Sequence, residues 1–223
     1  MTAIARICQR LEDAYGDLGW WPADTRFEIL IGAVLVQNTA WRNASLAIEQ
    51  LRAYGWLDAQ ALHALDQGRL AAAIHSSGYH TVKARRLQSL CRWFLDAGGF
   101  ASLDRRDAGA LRASLLKVNG IGPETCDDIL LYAFNHPVFV IDAYTRRLFG
   151  RLGLVDAEVD YEVLRARFES ALPTSPERWQ NIHAVIVEHA RLVCRQVPHC
   201  EHCLLADACA HFRHADNGIS GVL

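Results

Sequence analysis

Four of the seven cysteines fall within sixteen residues near the C-terminus, in the pattern Cys194-x5-Cys200-x2-Cys203-x5-Cys209. Few features constrain a fold more, because four soft thiolate ligands must end up around one shared site. Tetrahedral zinc and a [4Fe–4S] cluster both accept such a set. Zinc sites usually show paired Cys-x2-Cys knuckles, and one such pair is present here, so both groups stay open at this point. Disulfides fit less well. The first fifteen residues carry Arg6, Arg10, Glu12 and Asp13 inside an apolar pattern, which reads as an amphipathic helix instead of a secretory leader and implies a cytoplasmic protein. Cys8, Cys91 and Cys126 stand alone among apolar neighbours and read as buried free thiols.

The rest of the chain is dominated by helix-period hydrophobic patterns, with little strand alternation. Helices are expected over residues 27–36, 41–54, 58–65, 67–76, 81–97, 108–118, 123–134, 143–152, 161–172 and 176–194. The segment Pro137-Val138-Phe139-Val140-Ile141 has strand-like composition but no evident partner, so it is expected to be an extended linker. The fold class is therefore all-α. No apolar run is long enough for a membrane span. The formal net charge of -2 argues against extensive phosphate contact. It leaves room for a small DNA footprint built from backbone amides.

Leu116-Lys117-Val118-Asn119-Gly120-Ile121-Gly122-Pro123-Glu124-Thr125 carries such a footprint. Val118 ends one helix, Gly120 and Gly122 permit positive φ, Ile121 plugs the gap between helices, and Pro123 suits the first position of the next. The expected result is a tight helical hairpin whose amides at Asn119, Gly120, Ile121 and Gly122 cradle a DNA phosphate. Eighteen residues after Glu124 the linker ends at Ile141-Asp142-Ala143-Tyr144-Thr145-Arg146. Asp142 suits a helix N-cap. A fixed carboxylate there can also oppose positive charge on a sugar and help activate water.

Together these segments resemble the helix-hairpin-helix, Gly/Pro-rich loop, aspartate superfamily of DNA glycosylases, in particular the endonuclease III-like members. The resemblance extends to Phe27-Glu28-Ile29-Leu30-Ile31, Gln37-Asn38-Thr39, Gly78-Tyr79 with Lys83-Ala84, and Glu188-His189-Ala190-Arg191. It implies an enzyme of base excision repair, with Asp142 and Glu124 as the catalytic candidates. It also implies a [4Fe–4S] cluster on Cys194, Cys200, Cys203 and Cys209, although the family's first cysteine gap holds six residues where this chain has five. Gln37 and Asn38 correspond to the loop that fills the space left by a flipped base, Tyr79 and His80 border the same groove, and Lys83 and Arg191 complete the expected DNA contacts.

Bifunctional members carry a lysine in the second hairpin helix, and this chain has Glu124 there. A carboxylate cannot form a Schiff base, so water is the expected nucleophile and the enzyme is expected to be monofunctional. Trp20-Trp21-Pro22 and Trp41 resemble the endonuclease-III-like 3-methyladenine DNA glycosylases, in which aromatics at these places line the base pocket. Trp21 and Trp41 would then stack on an alkylated, cationic purine; Trp56, Trp93 and Trp179 are assigned to the core. The resemblance implies two helical subdomains with a cleft between them. One spans 22–135 and carries the hairpin; the other joins 1–21 to 136–213 and carries the cysteine loop, with a loose tail at 214–223. The expected partner is double-stranded DNA containing a damaged base, bound by a monomer. Two alternatives are a bifunctional endonuclease III-type glycosylase/AP lyase acting on oxidised pyrimidines, and a non-enzymatic iron–sulfur DNA-binding protein.

Overall fold

The computed structural model describes residues 1–156 and 158–213. The tail expected at 214–223 lies outside them. Among the described residues the regular elements are helices and no strand is present. In chain order they are α1 (Ala3–Tyr15), α2 (Arg26–Leu35), α3 (Trp41–Ala53), α4 (Ala59–Ala64), α5 (Gln67–Ala73) and α6 (His80–Asp96). There follow α7 (Gly99–Leu103), α8 (Ala108–Leu115), α9 (Pro123–Asp128), α10 (Ala143–Arg151), α11 (Tyr161–Ala171) and α12 (Pro176–Leu192). None of these helices is long and apolar enough to cross a membrane.

Local chemistry sets where the helices begin. Thr2, Thr25, Asp58, Asp66, Asp107, Asp142, Asp160 and Ser175 each accept a first-turn amide at an N-cap. Each such cap stabilises by about 1 kcal/mol. At α2 the buried Glu28 reaches back to the Asp24 amide at 2.9 Å while Thr25 Oγ1 accepts from the Glu28 amide at 3.2 Å, close to a capping box.

The chain divides into two compact units. One comprises Trp21–His136. Within it α4 and α5 pack on α6, and α2 packs on α3, α6 and the segment Ile129–Ala133. Almost every residue of α2 is buried, which explains its unbroken apolar run Leu30–Leu35. The other unit comprises Met1–Trp20 with the chain from Pro137 onward. There α12 packs on α1 and α10. Its core is aromatic: Phe139 stacks on Phe168 at 4.9 Å, Phe149 meets the same ring edge-on at 4.8 Å, and Trp179 meets Phe139 at 5.9 Å. Such pairs add about 1 kcal/mol each beyond their burial.

Two sequence readings need correction. The helix expected over 123–134 stays α-helical only to Asp128 and then widens into a π turn at Ile129–Ala133. Trp179 is buried, but Trp56 and Trp93 are only part-buried. Trp56 stacks beside Tyr54 at 4.5 Å instead of entering the core.

Candidate functional site

The hairpin lies between α8 and α9. Gly120 takes φ +87°, and a Cβ there would lie 2.2 Å from Arg86 Cγ. Both the left-handed backbone and the passing arginine require glycine. Gly122 differs from expectation: its φ is −89° and ψ 177°, an extended N-cap conformation. Pro123 disfavours helical backbone in the preceding residue, so no positive φ is needed. Ile121 is buried as the plug, while Asn119, Gly122 and Glu124 are exposed. The first bond of α9 runs from the Cys126 amide to Gly122 O at 2.9 Å, and Glu124 sits in the first turn, favourable against the helix dipole.

Two of the expected DNA contacts are committed elsewhere. Gln37 Nε2 donates to Gly120 O at 3.1 Å and Thr125 Oγ1 at 2.9 Å, and its Oε1 accepts from Arg86 at 2.5 Å. Its amide ties the α2–α3 loop to the hairpin, while Asn38 in the same loop stays exposed. Lys83 is 1% exposed and donates to Leu35 O at 2.8 Å and Ser77 O at 2.6 Å. Burial, with Arg86 nearby, brings its ammonium down to about 8. Lys83 therefore caps the end of α2 from beneath and does not reach a phosphate. Arg191 is exposed, with its guanidinium 2.8 Å from Glu188. Asn38 and Tyr79 share an unusual feature: both are exposed non-glycine residues with positive φ, 52° and 46°. Such conformations cost energy and concentrate at functional sites.

Trp21 and Trp41 come together. Their rings meet edge-to-face at 5.2 Å, and Tyr132 meets Trp21 at 5.3 Å. Gly32 makes room for this cluster, since a Cβ there would lie 3.1 Å from Trp21 Nε1. Tyr132 belongs to the π turn, and sequence reading missed it because a continued α-helix points that residue elsewhere. The tryptophans are part-exposed and Tyr132 is buried.

The other catalytic candidate, Asp142, lies in the second unit. It caps α10: Oδ1 accepts the Thr145 amide at 2.7 Å, and Oδ2 is 3.7 Å from His183 Nε2 on α12. Burial pushes its carboxyl up, but His183 and Thr145, through its amide and side chain, more than offset this, so it sits below the usual carboxylate range. Asp142 is thus charged near neutral pH although only 9% exposed. No local pattern marks His183, which reaches Asp142 only through the packing of α10 on α12.

The cysteine loop is wrapped by arginines. Arg147 donates to Cys194 O at 2.8 Å and Ala190 O at 2.9 Å, and Arg151 bonds the carbonyls of Arg195 and Gln196 and lies 3.4 Å from Cys194 Sγ. Arg10 of α1 bonds Leu204 O and Asp207. All four cysteines line one small cavity of about 20 Å³ with Leu148, Leu152 and Leu205. Burial raises the Cys203 thiol, and it raises Cys200 together with the neighbouring cysteines. His189 lies 3.5 Å from Cys203 Sγ through Nε2 and 2.9 Å from the Tyr15 hydroxyl through Nδ1. Among the described residues no three His, Cys, Asp or Glu side chains converge on one metal-ion position. Cys8 and Cys91 are buried elsewhere, with burial foremost in pushing both thiols up to about 12.

An all-helical chain with a Gly-x-Gly hairpin and a capping aspartate at the end of an extended linker defines a class of DNA-repair protein. The chain belongs to the HhH-GPD superfamily of base excision DNA repair proteins, whose pattern it matches over residues 31–174, and it is a DNA glycosylase. It is 39% identical over 210 residues to a candidate DNA repair glycosylase of Methanocaldococcus jannaschii, covering 92% of this chain and 95% of the relative. A 3-methyladenine DNA glycosylase of H. pylori, solved with bound 1,N6-ethenoadenine, superposes with a TM-score of 0.73 at 26% identity, over 84% of this chain and 97% of that one. An endonuclease III–DNA complex superposes with a TM-score of 0.82 over 97% of this chain and 100% of that one, but at 22% identity it speaks for the fold alone.

Proposed function

We propose that this glycosylase is monofunctional and hydrolyses the N-glycosidic bond of alkylated purines such as 3-methyladenine flipped from duplex DNA. The observation that carries the substrate class is the aromatic cluster of Trp21, Trp41 and Tyr132. A cationic alkylpurine gains from an aromatic face and leaves as a neutral base, so modest activation suffices. The similarity to the H. pylori 3-methyladenine enzyme supports the same class.

Hydrolysis without strand cleavage follows from the amines available. The chain has two lysines, Lys83 and Lys117. Lys83 is buried on two carbonyls, Lys117 precedes the hairpin, and Glu124 occupies the exposed start of α9. Asp142, charged and fixed by its cap, opposes the positive charge that develops on the sugar as the bond to the base breaks. It also accepts a proton from the water that adds to the sugar carbon. The hairpin amides of Asn119, Gly120, Ile121 and Gly122 hold a phosphate, with Arg191 as an outer contact. Asn38 and Tyr79 occupy the gap left by the flipped base.

The residues around the cysteine cavity fit a [4Fe–4S] cluster. Such a cluster takes one thiolate per iron, so four thiols must line a cavity, not converge on a point. Cys194, Cys200, Cys203 and Cys209 would hold it. With four protein ligands it supplies structure to the loop instead of an open site for chemistry.

The test is single-turnover base release from methylated duplex DNA and thymine-glycol duplex DNA, side by side, with borohydride trapping on abasic DNA. The expected result is alkylpurine release with an intact strand and no trapped adduct. Asp142→Asn should lower release by about 100-fold or more while keeping DNA affinity. Release of oxidised pyrimidine with a nicked strand, and none from methylated DNA, would overturn the proposal.

A further inference from the structure

We propose that His183 is the positioning residue for Asp142, locking the orientation of its carboxylate and keeping it ionised inside the protein. The inference rests on the reading of Asp142 as the group that faces the sugar. One carboxylate oxygen is anchored by the Thr145 amide at 2.7 Å, and the other stands 3.7 Å from His183 Nε2. The Thr145 amide holds one oxygen, and the imidazole flanks the other, so a turned carboxylate would lose both neighbours. The imidazole separation is longer than a hydrogen bond but within ion-pair reach, and a small shift of either side chain closes it.

His183 lies on the buried face of α12 between Ile182 and Ala184, itself 5% exposed. An apolar residue would fill that space more cheaply, since burying an imidazole costs free energy unless it gains a polar partner. A carboxylate brought into the same environment needs a compensating donor or cation to stay charged. The other charged groups of these elements are engaged elsewhere. On α10, Arg146 donates to Val159 O, Arg147 to Ala190 O and Cys194 O with Tyr144 beneath it, and Arg151 serves the cysteine loop. On α12, Arg178 pairs with Glu12 of α1, Arg191 with Glu188, and His189 with Tyr15. The Tyr161 hydroxyl faces the Ile141 amide at 3.5 Å. The groups that bear on the ionisation of Asp142 are His183 and Thr145.

With His183 replaced by an apolar residue, burial acts on Asp142 against Thr145 alone, through its amide and side chain, and its ionisation moves to higher pH. The acid limb of the pH–rate profile moves with it. A merely structural histidine would lower activity equally at every pH.

The experiment compares the full-length protein with His183→Leu and His183→Gln in two measurements. The first follows the carboxyl carbons by 13C NMR, with Asp142→Asn identifying the Asp142 signal. The second follows single-turnover excision from methylated duplex DNA against pH. In His183→Leu the Asp142 titration should move upward. Excision should fall about fivefold near pH 5 and less than about twofold near pH 8. His183→Gln, which keeps a polar donor but cannot ionise, should lie between, and its retained fold by circular dichroism guards against misreading an unfolded Leu variant. An unchanged Asp142 titration in both variants would overturn the proposal. So would a shifted titration with an unmoved acid limb, and that outcome would refute the catalytic reading of Asp142 while leaving the contact itself standing.

Discussion

The hairpin and the cysteine loop are both irregular segments stitched down by buried polar side chains, yet they are finished differently. Around the hairpin every strut ends on a protein atom: Gln37 on Gly120 and Thr125, Arg86 on Gln37, and Lys83 on Leu35 and Ser77. The cysteine loop has its backbone carbonyls gathered by Arg10, Arg147 and Arg151, but its four thiols face a cavity. Two of those thiols, Cys200 and Cys203, are held in their neutral form by burial and by the neighbouring cysteines, which a bound metal reverses. The hairpin is a site completed by hydrogen bonds, whereas the loop, in the proposed reading, is one that a cluster would complete.

Three substitutions test that contrast, in falling order of expected effect. Cys203→Ser should remove most of the iron and sulfide and lower the melting temperature by about 10 °C or more. In the same variant, amide exchange should accelerate in the cysteine loop and stay slow in α9. Equal loss of protection in both places would break the comparison, and a fully stable, metal-free Cys203→Ser protein would show that the loop needs no cofactor. Lys83→Met comes next. It keeps the length of the side chain but leaves two buried carbonyls without their donor, at a cost of about 2–3 kcal/mol. The salt dependence of DNA binding should be unchanged, since Lys83 touches no phosphate in this arrangement. A weakened salt slope would return Lys83 to the interface. Gly120→Ala should cost about 1–2 kcal/mol, from strain at positive φ and from displacing Arg86. Duplex affinity should fall with it. A neutral result on both measures would mean that the turn relaxes freely and that the hairpin is less rigid than its bonding implies.

These cases also show how far the sequence could be read. Elements set by near neighbours in the chain were legible. The cap at Asp142, the Gly-Ile-Gly-Pro turn, the Pro137–Ile141 linker and the helical character of the chain all follow from bonds and torsions spanning a few residues. Even there, Gly122 was misread, because glycine permits a left-handed turn without demanding one. What the sequence left out is the surroundings of residues whose partners lie opposite in the fold. Lys83 reads as a surface cation and is buried; Gln37 reads as an exposed amide and is bonded on both ends.

By itself the sequence determined an all-helical chain, its family and which residue types are present for glycosidic chemistry, because backbone propensities, caps and turn geometry are local. Only the tertiary structure decided where those side chains point. The π turn that brings Tyr132 to Trp21, the packing of α12 that sets His183 against Asp142, and the carbonyls that capture Lys83 all depend on residues far apart in the chain. Their free energy comes from burial, which excludes water from polar groups and forces each to find a partner. A pattern of neighbouring residues carries no record of that partner.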